Sequence, residues 1–224
     1  MGIARKLHNL THPVVGHILM LHSVTEHPVN PRLEATPKWL EQTIINYQTR
    51  GWQFVSLNNF SLLTTKKQVC LTFDDGYLDN LTLAYPILKK YQVPFCLYAT
   101  RDFYRGTAHP HWNPEATMMT AGQLVELSRY PLCTIGCHTC SHPRLSTLSA
   151  EQQRRELADC KADLEQLLGT EIHHLAYPHG DYNADTLQIV AELGFHTAVT
   201  TSGRPVRTDS HPLELDRITL IQPD

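Results

Sequence analysis

Short apolar runs alternate with longer amphipathic segments along most of this chain. The run Val-Cys-Leu-Thr-Phe at residues 69–73 is β-branched and aromatic without charge, which is typical of a buried strand. Comparable runs predict further strands at residues 17–22, 52–57, 93–100, 132–137, 174–177, 195–200 and 215–221. Apolar periodicity and capping residues predict helices at residues 37–48, 77–90, 120–129, 149–168 and 183–193.

Strands that alternate with helices indicate a parallel β-sheet. Seven or eight such units in one chain favour an α/β fold of the distorted (β/α)7–8 barrel type over an open sheet. The 224 residues are enough for one sizeable core and too few for two comfortable ones. We therefore expect a single domain over residues 1–224, with residues 1–13 as a loose lead-in.

Composition excludes several classes of protein. A formal charge of -3 gives no reason to expect nucleic acid or an anionic membrane as a partner. No apolar run reaches transmembrane length, and no uninterrupted apolar segment follows Arg5 and Lys6 as in a signal peptide, so we expect a cytoplasmic protein. Six cysteines are too few for a disulfide scaffold. Nothing in the sequence indicates an oligomeric state.

Residues with catalytic chemistry stand where predicted strands end. His22 closes the first predicted strand, and Asp74 and Asp75 follow the third. His138 follows the fifth, and His179 lies in the turn after the sixth. Because the active site of such a barrel lies at the carboxyl ends of its strands, we expect these side chains to share one site.

The spacing of the acids and histidines indicates a metal site. Adjacent strand residues point to opposite faces, so Asp74 and Asp75 can do different jobs, one as a metal ligand and one as a base. His138 and His142 have the four-residue spacing of paired ligands, and two imidazoles with one carboxylate leave the open positions of a catalytic zinc site. The alternatives are a surface Asp-Asp-Gly turn and two histidines bonded to backbone.

Three blocks resemble the polysaccharide deacetylases, the NodB-like enzymes of carbohydrate esterase family 4. They read Thr-Phe-Asp-Asp-Gly at 72–76, His-Thr-Cys-Ser-His at 138–142 and Ala-Tyr-Pro-His-Gly at 176–180. The resemblance covers the chain from about residue 18 to 221 and implies one catalytic domain with a distorted NodB-like barrel. It also implies a divalent metal ion, usually zinc, held by Asp75, His138 and His142, and Asp74 as the catalytic base.

The same resemblance implies an oxyanion donor and a general acid. The donor would be the backbone N–H of Tyr177. Many members carry a Leu-x-His block near the C-terminus that supplies the acid, where this chain has no histidine. Met20-Leu21-His22 resembles that block at the other end, as in circularly permuted members. His22 is therefore assigned as the general acid, with His179 and His211 as alternatives.

The chain departs from the family pattern at two further positions. Ala176 stands where many members carry an arginine that orients the catalytic aspartate. We expect Arg217, at the last predicted strand, to reach that aspartate instead; a surface arginine is the alternative. His179 replaces the usual tyrosine and is assigned to substrate binding together with Trp112 and Tyr77, although core packing is the alternative use of a lone tryptophan.

These observations predict a zinc-dependent hydrolase that removes acetyl groups from an N-acetylated sugar or polysaccharide. The expected substrate is a cytoplasmic precursor, lipid-linked or nucleotide-linked. An O-acetyl esterase would use the same residues, and a barrel that binds carbohydrate without catalysis is a further alternative. Cys137 and Cys140 form a C-x-x-C, which makes a thiol redox protein the alternative from a different class.

Overall fold

The computed structural model describes residues 12–222, in which eleven strands are interspersed with helices. The strands are β1 (Val14–Leu21), β2 (Ser23–Val24), β3 (Glu34–Ala35), β4 (Gln53–Phe54), β5 (Gln68–Phe73), β6 (Phe95–Ala99), β7 (Cys133–Cys137), β8 (His174–Ala176), β9 (Thr197–Val199), β10 (Val206–Arg207) and β11 (Ile218–Thr219). The helices are α1 (Pro37–Thr49), α2 (Tyr85–Lys90), α3 (Arg101–Tyr104), α4 (Ala121–Ser128), α5 (Ala150–Leu168) and α6 (Ala184–Glu192).

Parallel pairing builds one curved sheet. β1 pairs with β5, and β6, β7, β8 and β9 follow in order, all parallel. The segment 215–219 joins the two ends of this run, because Leu215 exchanges backbone hydrogen bonds with Ala198 and Thr200 while β11 pairs with β1. The predicted α/β fold of the distorted barrel type is confirmed.

Two predicted strands are reduced to ladders of two residues. The predicted strand at 52–57 pairs only over Gln53–Phe54, because the chain then turns into a 3₁₀ helix at Leu57–Asn59. In the predicted strand at 215–221, the β11 ladder covers only Ile218–Thr219. Both segments are apolar enough to resemble full strands, and the length of their ladders depends on neighbours far away in sequence.

Other differences concern the ends of elements. The predicted helix at 77–90 begins as a π-helical turn, Asn80–Ala84, before α2 starts. The antiparallel strand β10, which pairs with β1, was not predicted, because two residues carry no readable periodicity. Of the predicted lead-in at 1–13, residues 1–11 lie outside the described residues, and β1 begins at Val14.

The local sequence determines where the longest helix, α5, begins and ends. Ser149 and Gln152 form the predicted capping box at the start of α5, and Gly169 ends it in the left-handed conformation, with φ 68°. Leu157 and Leu164 are buried on its inner face. Among residues 12–222, no helix is both long enough and apolar enough to cross a membrane.

The strands bury side chains on both of their faces. Leu71 and Phe73 of β5 belong to an apolar cluster that includes residues of the surrounding helices. Cys70, the residue before Leu71, packs instead with Ile18 and Tyr98 in a second cluster, which fills the barrel interior. The interior is therefore a packed core, and the chemistry is confined to the strand ends.

Replacing Gly136 with alanine is expected to lower the free energy of unfolding by about 1–3 kcal/mol through overpacking. A Cβ there would lie 2.5 Å from Tyr98 Cδ1 and 3.0 Å from the His174 carbonyl oxygen. Urea denaturation measures the change. Gly122→Ala in α4 is the matched control, since its nearest neighbour would be 4.0 Å away and a neutral or slightly stabilising effect is expected. Equal stabilities for the two variants would contradict the packing argument.

Candidate active site

Asp75, His138 and His142 direct their ligand atoms at one point. Asp75 Oδ1 lies 3.5 Å from His138 Nε2 and 3.4 Å from His142 Nε2. One ligand atom from each of the three residues falls within 4.8 Å of the others. The aspartate comes from the end of β5 and both imidazoles from the loop after β7, so two strand ends on either side of β6 assemble the group.

The environment of these residues fits a divalent cation. Both carboxylate oxygens of Asp75 are buried and find no hydrogen-bond partner among residues 12–222, a costly state unless a cation lies beside them. His138 Nδ1 is 2.8 Å from the Ala176 carbonyl oxygen, which leaves Nε2 as the ligand atom. Burial and the charge of Asp74 raise the pKa of Asp75, and burial lowers the pKa of His142 to about 2. A dication reverses the first effect and favours the neutral imidazoles.

The backbone around these ligands is strained. Asp75, Thr139 and His142 adopt φ values of 74°, 66° and 61°, a left-handed region that residues other than glycine seldom occupy. The Thr139 hydroxyl accepts a hydrogen bond from the His142 N–H at 3.0 Å and so holds the loop in this shape. Conformations of this cost persist where the surrounding structure enforces them, commonly at functional sites.

Asp74 is bound by a buried arginine. Arg217 Nη1 and Nη2 donate to the two oxygens of Asp74, each at 2.7 Å. Arg217 also donates to the Thr200 carbonyl oxygen and the Thr72 hydroxyl, and its side chain is fully buried. Burial alone would raise the pKa of Asp74, but the guanidinium overcomes it and holds that pKa well below its usual range. Asp74 is therefore an anion in a fixed orientation.

His22 stands beside Asp74 at the end of β1. Its Nε2 atom is 3.9 Å from Asp74 Oδ2, and its Nδ1 atom is buried with no hydrogen-bond partner in the part of the chain that the structure describes. Burial lowers the pKa of His22 to about 4, although the charge of Asp74 opposes the shift. The imidazole is thus neutral at neutral pH, with one nitrogen towards the aspartate.

A cavity of about 410 Å³ opens over these groups. Its lining includes the predicted residues His22, Asp74, Asp75, Trp112, His138, His142 and His179. The cavity is also lined by five residues that were not predicted from the sequence: Met20, Leu33, His111, Arg144 and Thr201. Arg144 follows His142 by two residues in the same loop, and that proximity was the available signal.

Two predicted residues are placed differently from the expectation. The backbone N–H of Tyr177 donates to the Val199 carbonyl oxygen at 3.1 Å, and its hydroxyl donates to the Leu213 carbonyl oxygen. It is therefore occupied in the sheet, and the prediction of Tyr177 as the oxyanion donor is wrong for this structure. Tyr77 is 3% exposed and does not line the cavity; its hydroxyl accepts from Trp112 Nε1 at 3.1 Å. It supports a cavity residue, contrary to the predicted contact with substrate.

Two of the alternatives fit the structure poorly. His211 is exposed and lies outside the cavity lining, where its Nδ1 accepts from the Leu213 N–H. The thiols of the C-x-x-C, Cys137 and Cys140, are free and buried, and burial raises the pKa of Cys140. A redox thiol is instead exposed and has a lowered pKa.

Comparisons with known proteins agree with this geometry. The family model for polysaccharide deacetylase matches residues 63–198, more than half of the chain. YxkH of Bacillus subtilis (strain 168), named for the same family, is 30% identical over 211 residues, which are 90% of this chain and 70% of YxkH.

Two solved structures share the fold over nearly the whole chain. The deacetylase PplD of Streptococcus pyogenes, solved in complex with acetate, is 30% identical with a TM-score of 0.81, and 93% of each chain is covered. IcaB from Ammonifex degensii is 25% identical with a TM-score of 0.78, covering 94% of this chain and 93% of its own. This chain belongs to the polysaccharide deacetylase family, the hydrolases that cleave N-acetyl amide bonds in polysaccharides.

Proposed function

We propose that this protein is a metal-dependent deacetylase of an N-acetylated hexosamine within a glycan, with Zn²⁺ held by Asp75, His138 and His142. The observation that carries the proposal is the buried carboxylate of Asp75, which has no hydrogen-bond partner within the described part of the chain and faces two imidazole nitrogens at 3.4 and 3.5 Å. Two imidazoles and one carboxylate are a donor set that catalytic zinc uses. Acetate, which the PplD structure holds, is the product expected from this reaction.

Asp74 is suited to accept the proton of the attacking water. A dication in this site would polarise the acetyl carbonyl and make nearby water more acidic. Asp74 borders the same cavity as the three ligands and remains ionised because Arg217 binds both of its oxygens. Each carboxylate oxygen keeps a second lone pair, so the contact with Arg217 leaves room for a proton.

His22 can deliver that proton to the leaving amine. The imidazole is neutral in the resting site, so it acts as an acid only after it has gained a proton. Asp74 Oδ2 lies 3.9 Å from its Nε2 and has the lower pKa of the two, so a proton taken up by Asp74 passes favourably to His22. The amine then leaves as a neutral group.

Cavity residues complete the site. His179 lies in the turn after β8 and lines the cavity, so we assign it the contact with the developing oxyanion that Tyr177 cannot make. Trp112 also lines the cavity, with its ring centroid 4.6 Å from that of His142 and 6.3 Å from that of His179, and offers an aromatic face to a sugar ring. Its indole N–H is fixed by Tyr77, so the ring is held in place before substrate binds.

The finer choice of substrate stays a prediction. Acetate release from N-acetylated and O-acetylated forms of one oligosaccharide separates an amidase from an esterase, because the same atoms can attack either group. The expected cytoplasmic location and precursor substrate are tested by cell fractionation and by comparing nucleotide-linked or lipid-linked sugars with long polymers.

Metal analysis tests the proposal directly. We expect about one zinc per purified chain, and in the His138→Ala/His142→Ala variant we expect loss of both the metal and acetate release from N-acetylated oligosaccharides. His173→Ala/His196→Ala is the matched control, since it removes a stacked histidine pair outside the cavity. Wild-type protein that binds no metal after incubation with zinc would overturn the proposal, and so would a ligand variant that remains active.

A further inference from the structure

Two side chains in the turn after Asp75 form hydrogen bonds with the chain segment that begins at His22. Asn80 Nδ2 donates to the His22 carbonyl oxygen at 2.7 Å. The next two residues, which form β2, bind Asp79: the Ser23 hydroxyl donates to Oδ2 at 2.5 Å, and the Val24 N–H donates to Oδ1 at 3.0 Å. Three consecutive residues are thus held by two adjacent side chains more than fifty positions away in sequence.

The imidazole itself has little else to orient it. Its Nδ1 atom is buried, with no hydrogen-bond partner in the described range 12–222, and its Nε2 atom is 3.9 Å from Asp74, beyond hydrogen-bond distance. A catalytic histidine is usually oriented by a group bonded to its second nitrogen. Because that bond is missing here, the direction of the ring depends on the backbone that carries it.

That backbone is fixed from both sides. The Asp74 N–H donates to the Leu21 carbonyl oxygen at 3.0 Å, immediately before His22, and Asn80 holds the carbonyl of His22 itself. The same segment, 74–80, therefore supplies the proposed base and fixes the residue that carries the proposed acid.

The local conformation of the turn sets the direction of the Asp79 and Asn80 side chains. Residues Asn80–Ala84 form a π-helical turn, a rare widening of the helix that is frequent at functional sites. Asn80 is 1% exposed, and its Oδ1 atom is buried without a partner among residues 12–222. A buried amide whose acceptor is unused is costly, so what Asn80 contributes is the two bonds that its Nδ2 donates, one to the His22 carbonyl oxygen and one to Asp79 Oδ1 at 2.9 Å.

We infer that Asp79 and Asn80 are positioning residues, which hold the β1 end so that His22 Nε2 stands between Asp74 and the leaving amine. The inference rests on the proposed function of His22 as the acid. Neither residue lines the cavity, so both act through His22 and not on the substrate.

The test compares Asn80→Ala in two backgrounds, the wild type and His22→Gln. With His22 present, Asn80→Ala is expected to lower kcat for acetate release from an N-acetylated oligosaccharide by about 10- to 100-fold, as a misplaced catalytic group does. KM and zinc content are expected to be unchanged. In the His22→Gln background, the same change is expected to lower kcat by less than about 2-fold, since the group it positions is gone.

Controls separate positioning from general damage. Ser23→Ala removes only the hydroxyl bond to Asp79 and is expected to give a smaller decrease in the same direction, even where Asn80→Ala folds poorly. Gln153→Ala removes another buried amide that bonds a backbone carbonyl, that of Leu148 on the outer layer, and is expected to leave kcat unchanged.

The outcomes distinguish a failure of this positioning role from a failure of the proposed role of His22 as the acid. Equal losses of kcat from Asn80→Ala in both backgrounds, or a loss of zinc, would overturn the positioning role while leaving His22 in place. A His22→Gln variant with full amide activity would overturn the assignment of the acid, and the positioning role with it.

Discussion

Replacing Arg217 with methionine is expected to lower the free energy of unfolding by about 3–5 kcal/mol and to remove most of the acetate release. The guanidinium is fully buried and makes two 2.7 Å bonds to Asp74. Its loss leaves a buried carboxylate without a counter-ion, and removing one partner of a buried ion pair is strongly destabilising. The aspartate would then take up a proton or turn away, and in either state it could not accept one from water. Chemical denaturation and acetate release measure the two effects.

The double variant Asp74→Asn/Arg217→Met is the control for this prediction. It removes both charges, so stability is expected to recover towards the wild-type value while activity stays lost. In the wild type, the pKa of Asp74 is depressed, so its ion pair with Arg217 stabilises the fold fully above about pH 4, the ordinary pKa of aspartate. This contribution to the free energy of unfolding is lost as the pH falls further. A double variant no more stable than Arg217→Met would show that the arginine acts through packing instead.

His22→Gln is expected to lower kcat on an N-acetyl substrate by about 10²–10⁴-fold, the usual contribution of a general acid. The amine is a poor leaving group and needs a proton. Hydrolysis of 4-nitrophenyl acetate is expected to fall by less than about 3-fold, because its leaving group is a stabilised phenolate and departs without protonation. The ratio of the two activities therefore reports on proton donation separately from metal binding.

Two control measurements support the interpretation of that activity ratio. Zinc content of His22→Gln should equal that of the wild type, since His22 is not among the three clustered ligands. His179→Gln should affect amide and ester hydrolysis alike, because both reactions develop charge on the carbonyl oxygen. Equal losses on both substrates for His22→Gln would contradict its role as the acid and indicate a part in the attack step.

The clustering of Asp75, His138 and His142 could be anticipated from the sequence because its signals are local. A charge-free strand followed by Asp-Asp-Gly, and two histidines four residues apart after another strand, specify both position and chemistry. The barrel then follows from the alternation of elements, since parallel strands place their carboxyl ends at one face. Arg217 was expected from a missing family arginine, and the structure brings it to Asp74.

The placement of Tyr177 and Tyr77 could not be read in this way. Whether a backbone N–H is available depends on which strand pairs with it, and the β8–β9 register that occupies Tyr177 is a long-range property. Tyr77 looked available because it follows the acidic motif, yet it packs with Phe103 and Met118 beneath Trp112. Asp79 and Asn80 belong to no recognised motif, and their contacts with residues 22–24 follow only from the folded chain and its π-helical turn.

The bond between Asp74 and Arg217 also constrains when the barrel can close during synthesis. The aspartate leaves the ribosome with its strand, but its counter-ion is added to the growing chain 143 residues later. Until then, burying the end of β5 would bury a carboxylate without its counter-ion, which is strongly unfavourable. We therefore expect the catalytic end of the barrel to be completed last, when residues 215–219 dock against both β1 and β9.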